Sequence, residues 1–166
     1  MSITIRAATP DDGEAVSSVL AASYPVLLAG AYAPEELKRA LPAMIKANPK
    51  LLASGTYHVA ENGDDEIIGC GGWTRERPGS GEIEPGLGHV RHFAIRADWA
   101  GRGVGRAIYQ RCVDEARATG LTEFESCSTL NGERFYAALG FRAIETIDLP
   151  MGEGVTFRSV RMRCAL

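Results

Sequence analysis

The sequence predicts a single α/β domain spanning residues 1–166, and three observations carry that prediction. The chain has 166 residues, 45% of them hydrophobic, which suits one core built without disulfides or metal. Helical apolar spacing opened by proline alternates with short β-rich runs bounded by turn residues. A glycine-rich turn, DWAGRGVGR (98–106), joins one of those runs to an amphipathic helix.

The elements follow in order. ITIRA (3–7) reads as a strand, and Thr9, Pro10, Asp11 and Asp12 then supply a cap, a first-turn proline and acid, so a helix begins at Pro10. Pro34, Glu35 and Glu36 open a second helix, with Leu37, Ala40, Leu41, Met44 and Ile45 on one face until Asn48 and Pro49 stop it. TYHVAE (56–61) and EIIGCGGWTRE (66–76) flank the turn Asn62–Asp65 as a hairpin. PGSGEIEPGLG (78–88) is a loop, and GHVRHFAI (88–95) the next strand. Val104, Ile108, Cys112 and Ala116 recur every fourth residue in a helix over 103–119. A strand at 122–128, a short helix at 131–139 ended by Gly140, and strands near 141–149 and 155–164 complete the chain.

Composition narrows the function. A net charge of -3 carries no global basic excess, so nucleic-acid binding is not expected. Cys70, Cys112, Cys127 and Cys164 form no CxxC pair and sit in apolar elements, as free thiols do in a reducing cytoplasm. His58, His89 and His92 show no zinc spacing, and His89 and His92, three apart on a strand, should face opposite ways; no metal is expected. The N-terminus MSITIRAATPDD has no signal-peptide character. Ala15–Pro34 is uncharged, but its serines, alanines, Pro25 and Gly30 argue against a membrane span. It reads instead as an amphipathic helix, a turn near Pro25, and an apolar segment, VLLAGAY (26–32), over part of a pocket.

Gly101, Gly103 and Gly105 alternate at a helix start, where free backbone N–H groups and the positive end of the helix dipole can receive a phosphate. Arg102 and Arg106 flank the turn. Neither common nucleotide fingerprint fits: no GK[ST] follows, and the third position after Gly103 is Arg106 rather than glycine. On spacing alone, a purely structural turn also remains open.

FAIRADWAGRGVGRAI (93–108) resembles the central motif of the GNAT superfamily of N-acetyltransferases, a strand, then Q/R-x-x-G-x-G/A, then a helix. SCSTLNGERFYAALGF (126–141) is similar to that family's second motif, a strand, an asparagine, a tyrosine five residues on, and GF. The order of elements also matches over nearly the whole chain. One position departs: Ala100 stands where the family has glutamine or arginine. The resemblance implies a GNAT-like α/β (α+β) fold, a mixed, mostly antiparallel sheet of about six or seven strands with helices on both faces. It implies acetyl-CoA as co-substrate, with Phe93, Ala94 and Ile95 beside the pantetheine arm, Gly101, Arg102, Gly103, Val104, Gly105 and Arg106 around the pyrophosphate, and Asn131 assisting. It further implies direct transfer of the acetyl group to a primary amine on a small molecule or peptide, with a homodimer as one assembly open to the chain.

Amine acetylation needs a neutral amine, a polarised carbonyl and a stabilised leaving thiolate. A strand N–H near Ala94 or Ile95 would polarise the carbonyl without a side chain. Tyr136 matches the family's general acid; the plainer alternative is core packing beside Phe135. His89 is the expected base, ahead of His92, against the alternative of a strand-end histidine facing solvent. Glu82 and Glu84 could anchor a cationic acceptor or act as a base through water, and the apolar stretch 24–32 with Trp73 and Trp99 could line the acceptor's pocket. A non-catalytic acyl-CoA sensor or partner-binding module on the same fold is the rival reading.

Overall fold

The computed structural model describes residues 2–151 and 154–166. Seven strands form one sheet: β1 (Thr4–Ala7), β2 (Tyr57–Glu61), β3 (Ile67–Thr74), β4 (Leu87–Ile95), β5 (Glu123–Thr129), β6 (Arg142–Pro150) and β7 (Thr156–Ala165). Their order is β1-β2-β3-β4-β5-β7-β6, antiparallel throughout except for the parallel pair β4–β5. This is the mixed, mostly antiparallel sheet expected.

Helices cover both faces. α1 (Gly13–Leu28) lays Val16, Val19 and Leu20 against Tyr57, Val59, Cys70 and Ala94 on one side. α2 (Pro34–Met44) adds Ala40 over Phe157, and α3 (Pro49–Leu52) is a single turn capped by the Asn48 side chain on Lys50 N–H. On the other side α4 (Val104–Ala118) buries the fourfold repeat Val104, Ile108, Cys112 and Ala116 against Ala60, Ile68, Trp73, Val90 and Phe124. The short α5 (Glu133–Ala138) follows β5 and packs Tyr136 at the edge of the same core. Each large apolar side chain buried in this way contributes about 1.5–3 kcal/mol.

Two local expectations are corrected. α1 begins after a 3₁₀ turn at Pro10–Asp12 and runs straight through Pro25 instead of turning there. The lost hydrogen bond is outweighed because residues on either side are anchored: the Tyr24 hydroxyl donates to the Phe93 carbonyl at 2.8 Å, and Leu28 is buried with Tyr32 and Phe157. The helix opened by Pro34 ends at Met44, four residues before Asn48, and α3 restarts at Pro49.

The most consequential irregularity lies in β4. Cys70 pairs with Ala94 and Gly72 with Arg91, so Gly71 alone faces both His92 and Phe93. This is a β-bulge, and His92 carries its strain with φ of 54°. Gly71 permits it, since a Cβ there would lie 2.6 Å from the Phe93 ring.

Candidate active site

β4 and β5 pair only over Leu87–His89 and Glu123–Glu125. Past the bulge the strands part, and a cavity of about 570 Å³ fills the split. Val90 and His92–Ile95 form one wall and Ser126–Thr129 the other; Tyr24 and Leu27 approach from α1, Phe135 and Tyr136 from α5. The turn from Trp99 to Arg106 closes one end.

That end is built for an anion. Gly101 and Gly103 have φ of 75° and 83°, and a Cβ at either would meet nothing within 4 Å, so what requires glycine is the backbone conformation, beside open space. The first hydrogen bond of α4 runs from Ala107 N–H to the Gly103 carbonyl, which leaves the N–H groups before it without helical partners. No side chain caps this helix and no acid sits in its first turn, so the dipole is uncompensated. Gly105 answers a different need, because a Cβ there would lie 2.8 Å from the Phe135 ring. The Arg102 guanidinium lies 5.0 Å from the Trp99 ring centroid, and Arg106 donates to the Ala138 carbonyl at 3.3 Å. Neither arginine has a carboxylate within 4.0 Å among the described residues. Arg96 and Arg111, by contrast, are taken up by Asp98 and Glu115.

The middle of the cavity holds the titratable groups. Tyr136 stands edge-on to Phe135 and Phe141, and burial raises its phenol well above the ordinary tyrosine value while the Ser126 hydroxyl opposes the shift. The phenol therefore stays protonated at neutral pH. Burial likewise raises the Cys127 thiol, the opposite of what a nucleophilic cysteine needs.

The two histidines exchange the places expected of them. His89 is buried outside the cavity, its Nδ1 3.4 Å from Glu125, a carboxylate also held by Arg77, Arg161 and Arg163. His92 lines the cavity, stacked on Tyr24 with ring centroids 5.9 Å apart. The period-2 rule that put them on opposite faces fails because His92 is itself in the bulge: it and Phe93 together oppose Gly71, and His92 turns to the side of Tyr24 and Met44. His92 Nε2 lies 2.8 Å from the Met44 carbonyl, which can only accept, so Nε2 carries the hydrogen and Nδ1 is bare. Burial lowers the His92 pKa, the Met44 bond opposes that, and the Arg91 charge lowers it further.

Of the other expected site residues, Phe93, Ala94, Ile95, Gly101, Gly103, Val104, Gly105, Arg106 and Asn131 all border the cavity, with Ala100 among them. Arg102 stands over Trp99 at its rim. The Asn131 side-chain amide donates to the Leu27 carbonyl and so ties the end of α1 to the turn before α5. Trp73 is core, its indole N–H 3.4 Å from Glu115, and takes no part in a pocket. Glu82 and Glu84 pair with Arg77 away from the split. Tyr24 and Leu27 of the stretch 24–32 line the cavity as expected; sequence reasoning missed the β5 residues Ser126–Thr129, to which only the position of β5 within the second motif pointed.

Among the described residues no cluster of histidine, cysteine, aspartate or glutamate could hold a metal, and no helix is long and apolar enough to cross a membrane. No curated protein matches the chain in sequence. Solved structures share its fold: the PaiA N-acetyltransferase of Thermoplasma acidophilum, determined with coenzyme A, has a TM-score of 0.74 at 17% identity over 100% of both chains. A GCN5-related N-acetyltransferase of Rhodopseudomonas palustris has a TM-score of 0.79 at 20% identity, covering 100% of this chain and 97% of that one. The ribosomal-protein-S18-alanine N-acetyltransferase of Escherichia coli has a TM-score of 0.65 at 13% identity, covering 99% and 94%. The profile of the acetyltransferase (GNAT) domain matches residues 53–143, from the approach to β2 through the glycine turn, α4 and α5 into β6. The chain belongs to the GNAT family and is an acetyltransferase.

Proposed function

We propose that the protein moves an acetyl group from acetyl-CoA to a primary amine by direct transfer, and that the cavity between β4 and β5 is where this happens. One observation carries the reading: the split in the sheet leads without interruption to an uncapped, acid-free helix start flanked by two arginines without carboxylate partners. Those N–H groups, with Arg102 and Arg106, fit a pyrophosphate, and the walls Phe93–Ile95 and Ser126–Thr129 fit a narrow pantetheine arm. Asn131 holds the cavity's edge in place. Ala100 removes one side chain from the turn but none of its N–H groups.

Bound acetyl-CoA supplies the acetyl group as a thioester. Main-chain N–H groups of β4 near Ala94 and Ile95 polarise its carbonyl oxygen. His92 Nδ1 receives the proton that the amine loses as its nitrogen forms the new C–N bond, the role first expected of His89. Tyr136 donates a hydrogen bond to the sulfur that leaves with the electron pair of the broken C–S bond. Its raised pKa makes complete proton transfer to a thiolate uphill, so its contribution is stabilisation more than delivery. Tyr136→Phe is therefore expected to lower kcat by about 10- to 100-fold, at or below the lower end of general acid catalysis, with affinity for acetyl-CoA unchanged. Release of free thiol measures the first and thermal shift the second.

The reading is tested without knowledge of the acceptor by thermal unfolding with acetyl-CoA. At about one hundred times Kd, binding adds about 2.7 kcal/mol, a rise in Tm of about 5–11 °C for a chain of this size. No shift at millimolar acetyl-CoA would remove the proposal. The four cysteines are all free, which suits an enzyme of the reducing cytoplasm.

A further inference from the structure

The bulge that brings His92 to the cavity is strained, and two hydroxyls hold it. His92 keeps φ of 54°, a backbone conformation that L side chains seldom adopt. Its carbonyl accepts from the Tyr57 hydroxyl at 2.9 Å, and the next carbonyl, that of Phe93, accepts from the Tyr24 hydroxyl at 2.8 Å. Tyr57 comes from β2 and Tyr24 from α1, so each bulge carbonyl is fixed by a different element. Tyr57 is buried in the core, whereas Tyr24 lines the cavity and lies against the His92 imidazole with the ring planes 16° apart. The end of α2 adds a third hold, through the Met44 carbonyl on His92 Nε2.

The bulge fixes the direction of the groups that follow it. Arg96 N–H donates to the Ile68 carbonyl at 2.9 Å, across to β3. N–H groups alternate between the two edges of a strand, so that of Ile95 turns to the edge that β5 has left, into the split. Were the bulge to flatten, pairing carried on from Gly72 and Arg91 would present Ala94 N–H there instead. We propose that Tyr24 and Tyr57 are positioning residues for acetyl transfer: their hydroxyls clamp the Phe93 and His92 carbonyls and so hold the imidazole and the Ile95 N–H toward the thioester together. Both act through β4 and neither moves a proton in the reaction. The inference rests on the preceding reading of His92 as the base and of a β4 N–H as the donor to the carbonyl oxygen.

Tyr24→Phe and Tyr57→Phe each remove one hydroxyl and leave the ring, so the test uses the two single variants and the double one, read without any acceptor. In wild type, the thioester carbonyl stretch of bound acetyl-CoA, taken by isotope-edited infrared, should lie below that of free acetyl-CoA. Imidazole nitrogen NMR at neutral pH should show His92 as the Nε2–H tautomer. In the double variant the stretch should return toward the free value and His92 should show mixed tautomers, each single variant falling between, while His58 keeps its own pattern on Glu115. The acetyl-CoA thermal shift should survive in all three. Turnover should follow: on whichever of butylamine, spermidine and alaninamide wild type acetylates fastest, the double variant should lose kcat by about 10-fold or more. A double variant whose carbonyl stretch and His92 tautomer match wild type, or one that changes both and keeps full kcat, would overturn the inference. An intact acetyl-CoA shift in that case leaves the proposed function standing, whereas absence of the shift in wild type removes both.

Discussion

Replacing His92 by asparagine is expected to lower kcat/KM for amine acetylation by about 10²- to 10⁴-fold, the range of general base catalysis. Asparagine suits the test because it tolerates the left-handed backbone that His92 adopts, so the bulge survives while the titrating ring is lost. The pH profile makes the role explicit. The acceptor amine must itself be neutral, so log kcat/KM rises with a slope of one up to the amine pKa. Burial lowers the His92 pKa, which puts the imidazole's own limb below about 6.5, where the slope steepens to two as pH falls. In His92→Asn the steeper limb should vanish and a single slope of one remain. A variant that loses rate but keeps the slope of two would assign the base elsewhere. His89→Asn is the matched control, because His89 sits with Glu125 outside the cavity and should leave the slope untouched.

The histidine exchange shows where sequence reading stops. α4 was legible because Val104, Ile108, Cys112 and Ala116 lie on one helix face whatever the rest of the chain does. The glycine turn was legible for the same reason: positive φ at Gly101 and Gly103 is a local property, and the side of the helix that must stay open is the side it starts on. The bulge was not, because it exists only in the pairing of β4 with β3, where Phe93 lies over Gly71. The face of every group after Arg91 depends on that pairing. Pro25 failed in the opposite direction, as a strong local signal was overridden by Tyr24 and Leu28 finding distant partners. The parting of β4 from β5 is written in neither strand alone. The glycine turn and Tyr136 could thus be read from the chain, while the placing of the two histidines required the fold.

Replacing Gly103 by valine is expected to abolish the rise in Tm that acetyl-CoA produces, the largest single loss of binding the structure predicts. Two effects separate in this substitution. A side chain at φ of 83° is strained by about 1–2 kcal/mol, so the free protein should melt about 2–8 °C lower. Its Cβ would enter space that is empty in the protein and that the proposal fills with pyrophosphate, so the ligand is excluded as well. Gly120→Val isolates the first effect. Gly120 has φ of 85°, also with nothing within 4 Å of a Cβ, but it follows the far end of α4, about 22 Å along the helix axis. That variant should show the same lowered Tm and keep the full response to acetyl-CoA. If Gly103→Val keeps the response too, the pyrophosphate does not rest on this turn, and the open space beside Gly101 and Gly103 serves only the fold of the chain.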